Sequence, residues 1–565
     1  MVSIAKRHVI LLLAFGLLSI FRPDVANAAG CWSAPYSCHP GGDINPSTAA
    51  TYEARYMAYA ELAWRDFIAL NFPAATSPQG KPEPAPSREH GLDYHGGDYT
   101  AVWQTWPEAR DIFLPGAAVP AAFGTGHQTP ANCLRTDASG RLELTDRIVL
   151  DEYVQANRMG PVIDKQGQYV RYGLSFNKPI FDYITANQLY STEGQAAMDV
   201  NNPDRDKQTV RFPAGQYSGN DDPAMTGSIF VKSSWKILDA SDNKSSFYRT
   251  QAYVYDEAGG AFADEPTVRE RCSLKPIGLV GFHIVHLTRS APQWVWATFE
   301  HVDNGPWLND FTSTLKRDYT FFDAAKCAAS GPASGGVPSC AFDTVPAEPW
   351  NPQRPGQTPT QLVRLAAPGK LALAVNEQYN NRIKKTYPDS VWANYFLVDV
   401  QFPTNVKATG GEQGAAVPNP AYPDGMPATS FLSNSTMETY IPGFFHGEIT
   451  ASGNRIPPDD QMRTIPPTGA VMPFSSTGPH TVSGGADRTT SSCVSCHSDA
   501  SMTTGSSSDF VFSLSRAQSK GKLNLSTSGT KSGSAAGAGV LTGHEASSVV
   551  EYVMGTSKPE EPAGK

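Results

Sequence analysis

The sequence predicts a mixed fold, in which residues 29–480 form a large β-rich body with a few helices. A small C-terminal segment, 481–565, is predicted to be mostly loop and helix and to pack on that body. Composition supports this, because 45 prolines and 49 glycines with only 18% charged residues are typical of many turns and few long helices. β-branched and aromatic runs fill the middle of the chain. The C-terminal segment has too few large apolar residues to build its own core.

The first 28 residues are predicted to be a cleaved secretory signal peptide. Lys6 and Arg7 form a basic start, an apolar run covers 9–21, and Ala-Asn-Ala at 26–28 is a typical cleavage site. The apolar run is shorter than the roughly 20 residues that span a bilayer. Lipidation at Cys31 is a competing interpretation, disfavoured by its distance from the apolar run. We therefore expect a periplasmic protein without a membrane span.

The body is predicted to begin with a helix over 51–70, where apolar side chains recur every three or four residues. Further elements are predicted as strands at 228–238, 247–256, 277–288, 293–302 and 395–402, with a helix over 370–385 before the last strand. A short Arg-Ser-Ala-Pro link indicates that the third and fourth strands form a hairpin. Alternation along the fourth strand places Trp294 and Trp296 on one face and Val295 and Ala297 on the other.

The cysteines indicate disulfide bonds and so fit an oxidising compartment. The chain has eight cysteines, and six of them lie outside the motif described next. Six cysteines allow fifteen pairings, but closeness in sequence favours two local loops. The predicted bridges are Cys31–Cys38, Cys327–Cys340 and, by elimination, Cys133–Cys272.

The motif Cys493-Val494-Ser495-Cys496-His497 bears most directly on function. C-x-x-C-H is the attachment sequence of c-type haem, in which two thiols form thioethers and the histidine becomes the proximal iron ligand. With 8 Cys and 12 His in the chain, chance would give only about 0.002 such matches. A redox dithiol or a zinc half-site is the alternative. Zinc needs a second ligand pair, and the chain contains no other C-x-x-C.

Through this motif and the signal peptide, the C-terminal segment resembles the c-type cytochromes. The body is similar to those of large exported bacterial proteins that have one C-terminal haem-c motif and no assigned activity, through stretches such as 63–71 and 292–296. The resemblance implies one covalent haem c, bound by Cys493 and Cys496, with His497 as the proximal iron ligand.

The sixth iron ligand is left open by the sequence. Small class I cytochromes c place a methionine ahead of their C-terminal helix, but 505–543 contains neither Met nor His. Candidates in the segment are Met554 and His544, both in a helix predicted over 544–554, and Met502. The body offers His446, His480, Met437 and Met472, and an open site is a further alternative. A Met ligand would favour electron transfer, whereas an open site would admit peroxide, oxygen or another small ligand.

The leading functional expectation is a periplasmic cytochrome whose haem relays electrons for an oxidoreductase formed by the body. Glu300 and His301, at a predicted strand end, are candidate catalytic residues, because a carboxylate and an imidazole can relay protons together. The expected partner is a soluble redox protein or a small-molecule electron donor. The net charge of −9 argues against nucleic acid. The alternatives are a haem peroxidase or small-ligand-binding protein with an open iron, and a non-enzymatic electron carrier.

Two other histidine pairs are present in the body. His283 and His286 lie on one predicted strand, and their spacing places them on opposite faces, so they are not expected to bind one metal ion. His90 and His95 lie with two aspartates in a Gly-rich loop. That loop offers ligands for a cation, although a solvated turn is the default interpretation.

Overall fold

The protein is described from a computed structural model. The structure describes residues 38–49, 52–128, 144–155, 160–200, 210–219, 222–256, 271–307, 317–328, 339–347, 350–351, 359–364, 368–402, 432–440 and 500–520, together with Cys493 and His497. The predicted signal peptide and the predicted helix over 544–554 lie outside these residues.

The described residues form a mixed architecture rich in β-structure, which confirms the predicted class of the body. The helices are α1 (Tyr52–Leu70), α2 (Ala109–Ile112), α3 (Lys178–Ala186), α4 (Thr192–Val200), α5 (Ala324–Ala328) and α6 (Lys370–Thr386). The strands are β1 (Ala74–Thr76), β2 (Pro82–Pro86), β3 (Val149–Leu150), β4 (Arg171–Phe176), β5 (Ile229–Ile237), β6 (Arg249–Asp256), β7 (Arg271–Thr288), β8 (Ala291–His301) and β9 (Tyr395–Gln401). Among the described residues, no helix has the length and apolar character needed to cross a membrane.

A seven-stranded sheet organises the body around the long strand β7. The start of β7 pairs with β6 and its end pairs with β8, while β5 runs along its other edge. β4 extends the sheet beyond β5, and β9 extends it beyond β8. All of these pairings are antiparallel, and only the short β3 pairs in parallel, with β6. The predicted β7–β8 hairpin is confirmed, with a turn at residues 289–290.

The two faces of the sheet pack against different layers, as the alternation along β8 predicts. Val295 and Ala297 belong to the largest core cluster, which also contains buried side chains of α1 and α6. Trp294 and Trp296 belong to a second cluster on the opposite face. That second cluster combines α3, residues from 502 to 517, and strand residues such as Phe230. The body therefore has a helix-covered face and a face that receives the C-terminal residues.

Residues 500–520 are attached to the body mainly through α4. The Gln195 side chain donates to the Leu514 carbonyl at 2.7 Å and accepts from the Thr503 amide at 2.9 Å. Ser506 donates to the Asp199 carboxylate at 2.8 Å. Because Gln195 is fully buried, these bonds are shielded from water and fix the position of the C-terminal residues on the body.

Disulfide bonding agrees with the predicted pattern where both partners are described. Cys327 and Cys340 form a disulfide, so this local pairing is confirmed. Cys38 and Cys272 are also disulfide-bonded. Their predicted partners, Cys31 and Cys133, lie outside the described residues.

Candidate functional site

The His497 imidazole lies on an aromatic floor formed by the sheet. Its ring centroid is 4.5 Å from that of Trp296 on β8 and 6.4 Å from that of Phe230 on β5. Val285 on β7 pairs with both of these residues, so the three strands present a continuous apolar row. Phe512, at 4.9 Å, contacts the imidazole from the C-terminal residues. The imidazole ring is therefore packed among aromatic side chains.

The hydrogen bond of His497 fixes its tautomer. Nδ1 lies 2.8 Å from the carbonyl oxygen of Phe510. Because a carbonyl only accepts, Nδ1 must carry the proton. Burial lowers the pKa of His497 to about 4, so the ring is neutral at pH 7 and its Nε2 lone pair is bare. Nε2 has no hydrogen-bond partner within the described part of the chain.

The Phe510 carbonyl is aimed at the imidazole by an unusual backbone. Asp509 has a φ of 52° and Phe510 a φ of 66°, both in the left-handed region that non-glycine residues rarely adopt. Such conformations cost on the order of 1–3 kcal/mol each and persist only where the surroundings hold them. The Asp509 carboxylate helps to hold this backbone conformation, because it accepts a hydrogen bond from the Phe212 amide at 3.0 Å.

Cys493 reaches the same floor as His497. It is half-buried and packs against the cluster that contains Trp296 and Phe510. Its Sγ atom lies 3.8 Å from the Leu432 carbonyl oxygen. Cys496 lies outside the described residues. The structure thus brings one cysteine and the histidine of the motif onto one apolar surface of the sheet.

The candidate sixth ligands are separated by the fold. Met502 is buried in the same cluster as Trp296. Met437 is buried in a different cluster, with Tyr172 and Val280. The other candidates lie outside the described residues: Met554, His544, His446, His480 and Met472. Among the described methionines proposed as ligands, Met502 is the one that shares the His497 surface.

A polar row follows the aromatic floor on this face of the sheet. Lys232 on β5 pairs with His283 on β7, two residues beyond the pair formed by Phe230 and Val285. His283 Nε2 lies 3.0 Å from the Glu438 carboxylate, and the two side chains are only 15% and 12% exposed. Sequence reasoning did not find this row, because no local spacing links three residues on separate segments.

Electrostatics connects the polar row with His497. Burial alone would raise the pKa of Glu438, but His283 and Lys232 outweigh it, so the pKa is lowered and the carboxylate stays ionised. The charges of Lys232 and His283 also contribute to the lowered pKa of His497. The row therefore lies within electrostatic range of the imidazole.

His286 lies on the opposite face from His283, which confirms the prediction that they share no metal site. Its Nδ1 lies 2.7 Å from the Asp66 carboxylate on α1, and its Nε2 lies 2.6 Å from the Thr226 carbonyl. Both partners accept, so both nitrogens donate. Buried hydrogen bonds of His286 thus link the sheet to α1.

The polar atoms of Glu300 and His301 are held by separate partners. Glu300 accepts from Arg364 Nε at 2.7 Å and from the Ser435 hydroxyl at 2.6 Å. His301 donates from Nε2 to the Ser246 carbonyl at 2.9 Å and accepts at Nδ1 from the Asp303 amide. Burial lowers the pKa of His301 to about 4. The structure does not bring the two side chains together at a shared site.

A buried cluster that the sequence did not reveal joins Glu108, Asp111 and His127. His127 Nδ1 lies 2.8 Å from the Asp111 carboxylate and Nε2 lies 2.8 Å from the Gln104 carbonyl. Both ring nitrogens must therefore donate, which requires an imidazolium. A metal ion would need a nitrogen that these bonds already use, so we interpret the cluster as a buried ion pair.

This cluster predicts a loss of stability at alkaline pH. Burial alone would lower the pKa of His127, but Asp111 and Glu108 outweigh it and raise the pKa to about 9. A raised folded-state pKa means that the stabilisation is fully present below the unfolded value of about 6.5 and is lost as pH rises through about 9. We expect the urea midpoint of the wild type to fall over this interval.

The His127→Gln variant isolates this effect in the same titration. It should be less stable than wild type near pH 6, and the difference between the two proteins should shrink toward about pH 9.5. His95→Asn, at an exposed histidine with a φ of 47°, serves as the matched control and should track the wild type throughout. A difference that stays constant with pH would contradict the imidazolium assignment.

The chain was compared with protein-family models, with curated proteins and with solved structures, and none of the three comparisons gives a match. The chemistry of the site therefore has to be inferred from the C-x-x-C-H motif and from the contacts of His497.

Proposed function

We propose that the protein is an exported electron-transfer protein that carries one covalent haem c. Cys493 and Cys496 would form the thioethers, and His497 would be the proximal iron ligand. The observation that carries the proposal is the hydrogen bond from Nδ1 of His497 to the Phe510 carbonyl, since it leaves Nε2 unprotonated. Metal-binding histidines generally donate their other ring N–H to a carbonyl or carboxylate in this way.

The surroundings of His497 suit a porphyrin better than a zinc ion. Trp296, Phe230 and Phe512 offer apolar contact to a large flat ring. Structural zinc requires four protein ligands. In the described residues, the one grouping of three potential His, Cys, Asp or Glu ligands is the Glu108 cluster, and His497 is not part of it. The sequence also has no second C-x-x-C that could complete a zinc site, and this supports haem over zinc.

The chain's own residues would hold and tune the redox centre. Haem c supplies a one-electron couple when bound. The Phe510 carbonyl orients the imidazole and strengthens it as a ligand, because it accepts the Nδ1 proton. The aromatic side chains of Trp296 and Phe512 pack against the His497 imidazole and exclude water from it. An apolar environment has a low dielectric constant, which makes a net charge on the iron less stable. These side chains would therefore influence the reduction potential of the bound haem.

Export and an electron acceptor are the remaining parts of the proposal. The leader sequence predicts passage to the periplasm, and the Cys327–Cys340 disulfide is compatible with an oxidising compartment. The net charge of −9 would attract a basic soluble redox protein as the acceptor. In this scheme the β-rich body positions the haem and receives the electron donor.

Mass spectrometry of the purified protein tests the proposal directly. The gene would be expressed together with a cytochrome c maturation system, and the intact mass compared with that of a Cys493→Ser/Cys496→Ser variant. We expect wild type to carry the mass of one haem and to stain for haem in a denaturing gel, and the variant to do neither. A wild type that stays haem-free while a known cytochrome c is loaded in the same cells would overturn the assignment.

A further inference from the structure

The polar row of Lys232, His283 and Glu438 lies on the face of the sheet that receives the C-terminal residues, next to the His497 floor. On one side of it, Trp296 and Phe230 are covered by His497. Lys232 and His283 themselves are half-buried, as is Leu174 beside Lys232 on β4. The row therefore keeps a small exposed area, 15% of the His283 side chain and 12% of that of Glu438, whereas its neighbours Phe230 and Trp296 are buried.

The other side of the row is closed by residues 432–440. Ser234, two residues beyond Lys232, shares a hydrogen bond of 2.7 Å with the Thr436 hydroxyl. At Gly281 an added Cβ would lie 2.6 Å from the Asn434 side chain and 2.7 Å from that of Thr436, so no space remains there. The row thus lies between the His497 floor and this closed edge.

The protonation pattern of the row is set by its hydrogen bond. Glu438 is held as a carboxylate, so it accepts from Nε2 of His283. The effect of His283 on the pKa of Glu438 is that of its protonated form. In the neutral form, which is the one that can accept a proton, the lone pair lies on Nδ1, and this atom makes no hydrogen bond within the described residues. This differs from His127 and His286, whose two nitrogens both donate. Neutral His283 thus offers a proton acceptor, and its strand partner Lys232 has its ammonium over the Tyr172 ring, 5.4 Å from the ring centroid.

We propose that Lys232, His283 and Glu438 form the electron-donor site of the protein, and that the donor is a small hydroxy-aromatic reductant of the hydroquinone class. This inference rests on the proposed function, because it uses the haem as electron acceptor. An aromatic hydroxyl suits a centre that takes one electron at a time, since the aryloxyl radical left behind is delocalised over the ring. An aliphatic alcohol would have to lose two electrons together.

The proposed step balances in protons and electrons. The O–H bond of the donor would break, its proton would pass to Nδ1 of His283, and the haem held by His497 would supply the one-electron oxidant that takes up the electron. Lys232 stabilises the negative charge that develops on the donor oxygen, and Glu438 stabilises the imidazolium that forms. The imidazolium then releases its proton to water. Two aryloxyl radicals would disproportionate to one hydroquinone and one quinone, and the soluble acceptor would take up the electron, which completes the balance.

Stopped-flow reduction of the full-length haem protein tests this site. We expect His283→Gln to slow haem reduction by hydroquinone at least about 100-fold, as loss of a general base does, while reduction by dithionite stays at the wild-type rate. Lys232→Gln should slow the hydroquinone reaction about 10-fold, because it removes the charge that stabilises the donor oxygen. His95→Asn is the matched control and should leave both rates unchanged.

Calorimetry supplies a readout that does not depend on turnover. 4-Nitrophenol, a phenol that is hard to oxidise, should bind the haem protein, and Lys232→Gln and His283→Gln should each weaken binding about 10-fold. 1,4-Dimethoxybenzene, which lacks the O–H group, should not bind. Equal hydroquinone rates in wild type, His283→Gln and Lys232→Gln would overturn the donor site.

The two proposals fail in different ways in these experiments. A wild type that carries haem and is reduced by dithionite, but neither binds 4-nitrophenol nor accepts electrons from hydroquinone, overturns the donor site and leaves the electron-transfer function standing. A wild type without haem overturns both, because the donor electron then has no acceptor.

Discussion

Replacing His497 by alanine is expected to abolish the low-spin spectrum of the haem protein. The imidazole Nε2 is the strong-field ligand in the proposed site, and the Phe510 carbonyl has no other group to orient once the imidazole is gone. The measurement is the absorption spectrum of the purified variant in the oxidised and reduced states. His95→Asn should keep the wild-type spectrum, because His95 is an exposed loop residue.

Met502→Leu extends the same measurement to the sixth ligand. Met502 is buried on the His497 surface, so loss of a Met–iron band in this variant would identify it as that ligand. If the Met–iron band is unchanged in Met502→Leu, Met502 is not the sixth ligand. A low-spin spectrum that survives in His497→Ala would refute the proximal assignment itself.

Arg364→Ala is expected to lower the free energy of unfolding by about 3–5 kcal/mol, the usual cost of leaving one buried charge without its partner. Arg364 Nε donates to Glu300 at 2.7 Å and its Nη2 donates to the His301 carbonyl at 2.6 Å. Its guanidinium also lies over the Trp307 ring at 5.0 Å. Chemical denaturation with an unchanged m-value would measure the loss.

Arg317→Ala is the control for this prediction. Arg317 also pairs with a carboxylate, that of Asp303 at 2.7 Å, but the arginine side chain is 56% exposed. Exposed pairs contribute about 0–1 kcal/mol, so this variant should be nearly as stable as wild type. If both variants lose a similar free energy of unfolding, burial is not the reason why the Glu300–Arg364 pair stabilises the protein.

The elements that sequence patterns predicted are those with strong local signals. α1 and α6 follow apolar periodicity, and β5, β6, β8 and β9 follow β-branched and aromatic runs, all within a few residues of the predicted bounds. β7 begins at Arg271 and not at 277, because its first residues are strand only through pairing with β6. β4 was missed for a similar reason, since its six residues include a glycine and depend on β5 for their conformation.

The candidate site was predictable only where one local motif defined it. Cys493, Cys496 and His497 follow from a five-residue spacing. The groups that set the chemistry of His497 do not, because Trp296 lies about 200 residues earlier in the chain and Phe510 contributes a backbone atom. Sequence periodicity predicts which face of a strand is apolar, but it does not predict which strands pair in the sheet.

The left-handed backbone at Asp509 and Phe510 has a consequence for the order of maturation. The carbonyl that selects the histidine tautomer is aimed correctly only while the contact between Asp509 and the Phe212 amide holds the loop in place. In a nascent chain the Phe510 carbonyl is not yet in place, so it does not determine which ring nitrogen of His497 carries the proton. The protonated nitrogen of His497 is therefore selected only after residues 509–510 have docked onto the sheet, so in the proposed haem protein the final iron coordination would depend on completed folding.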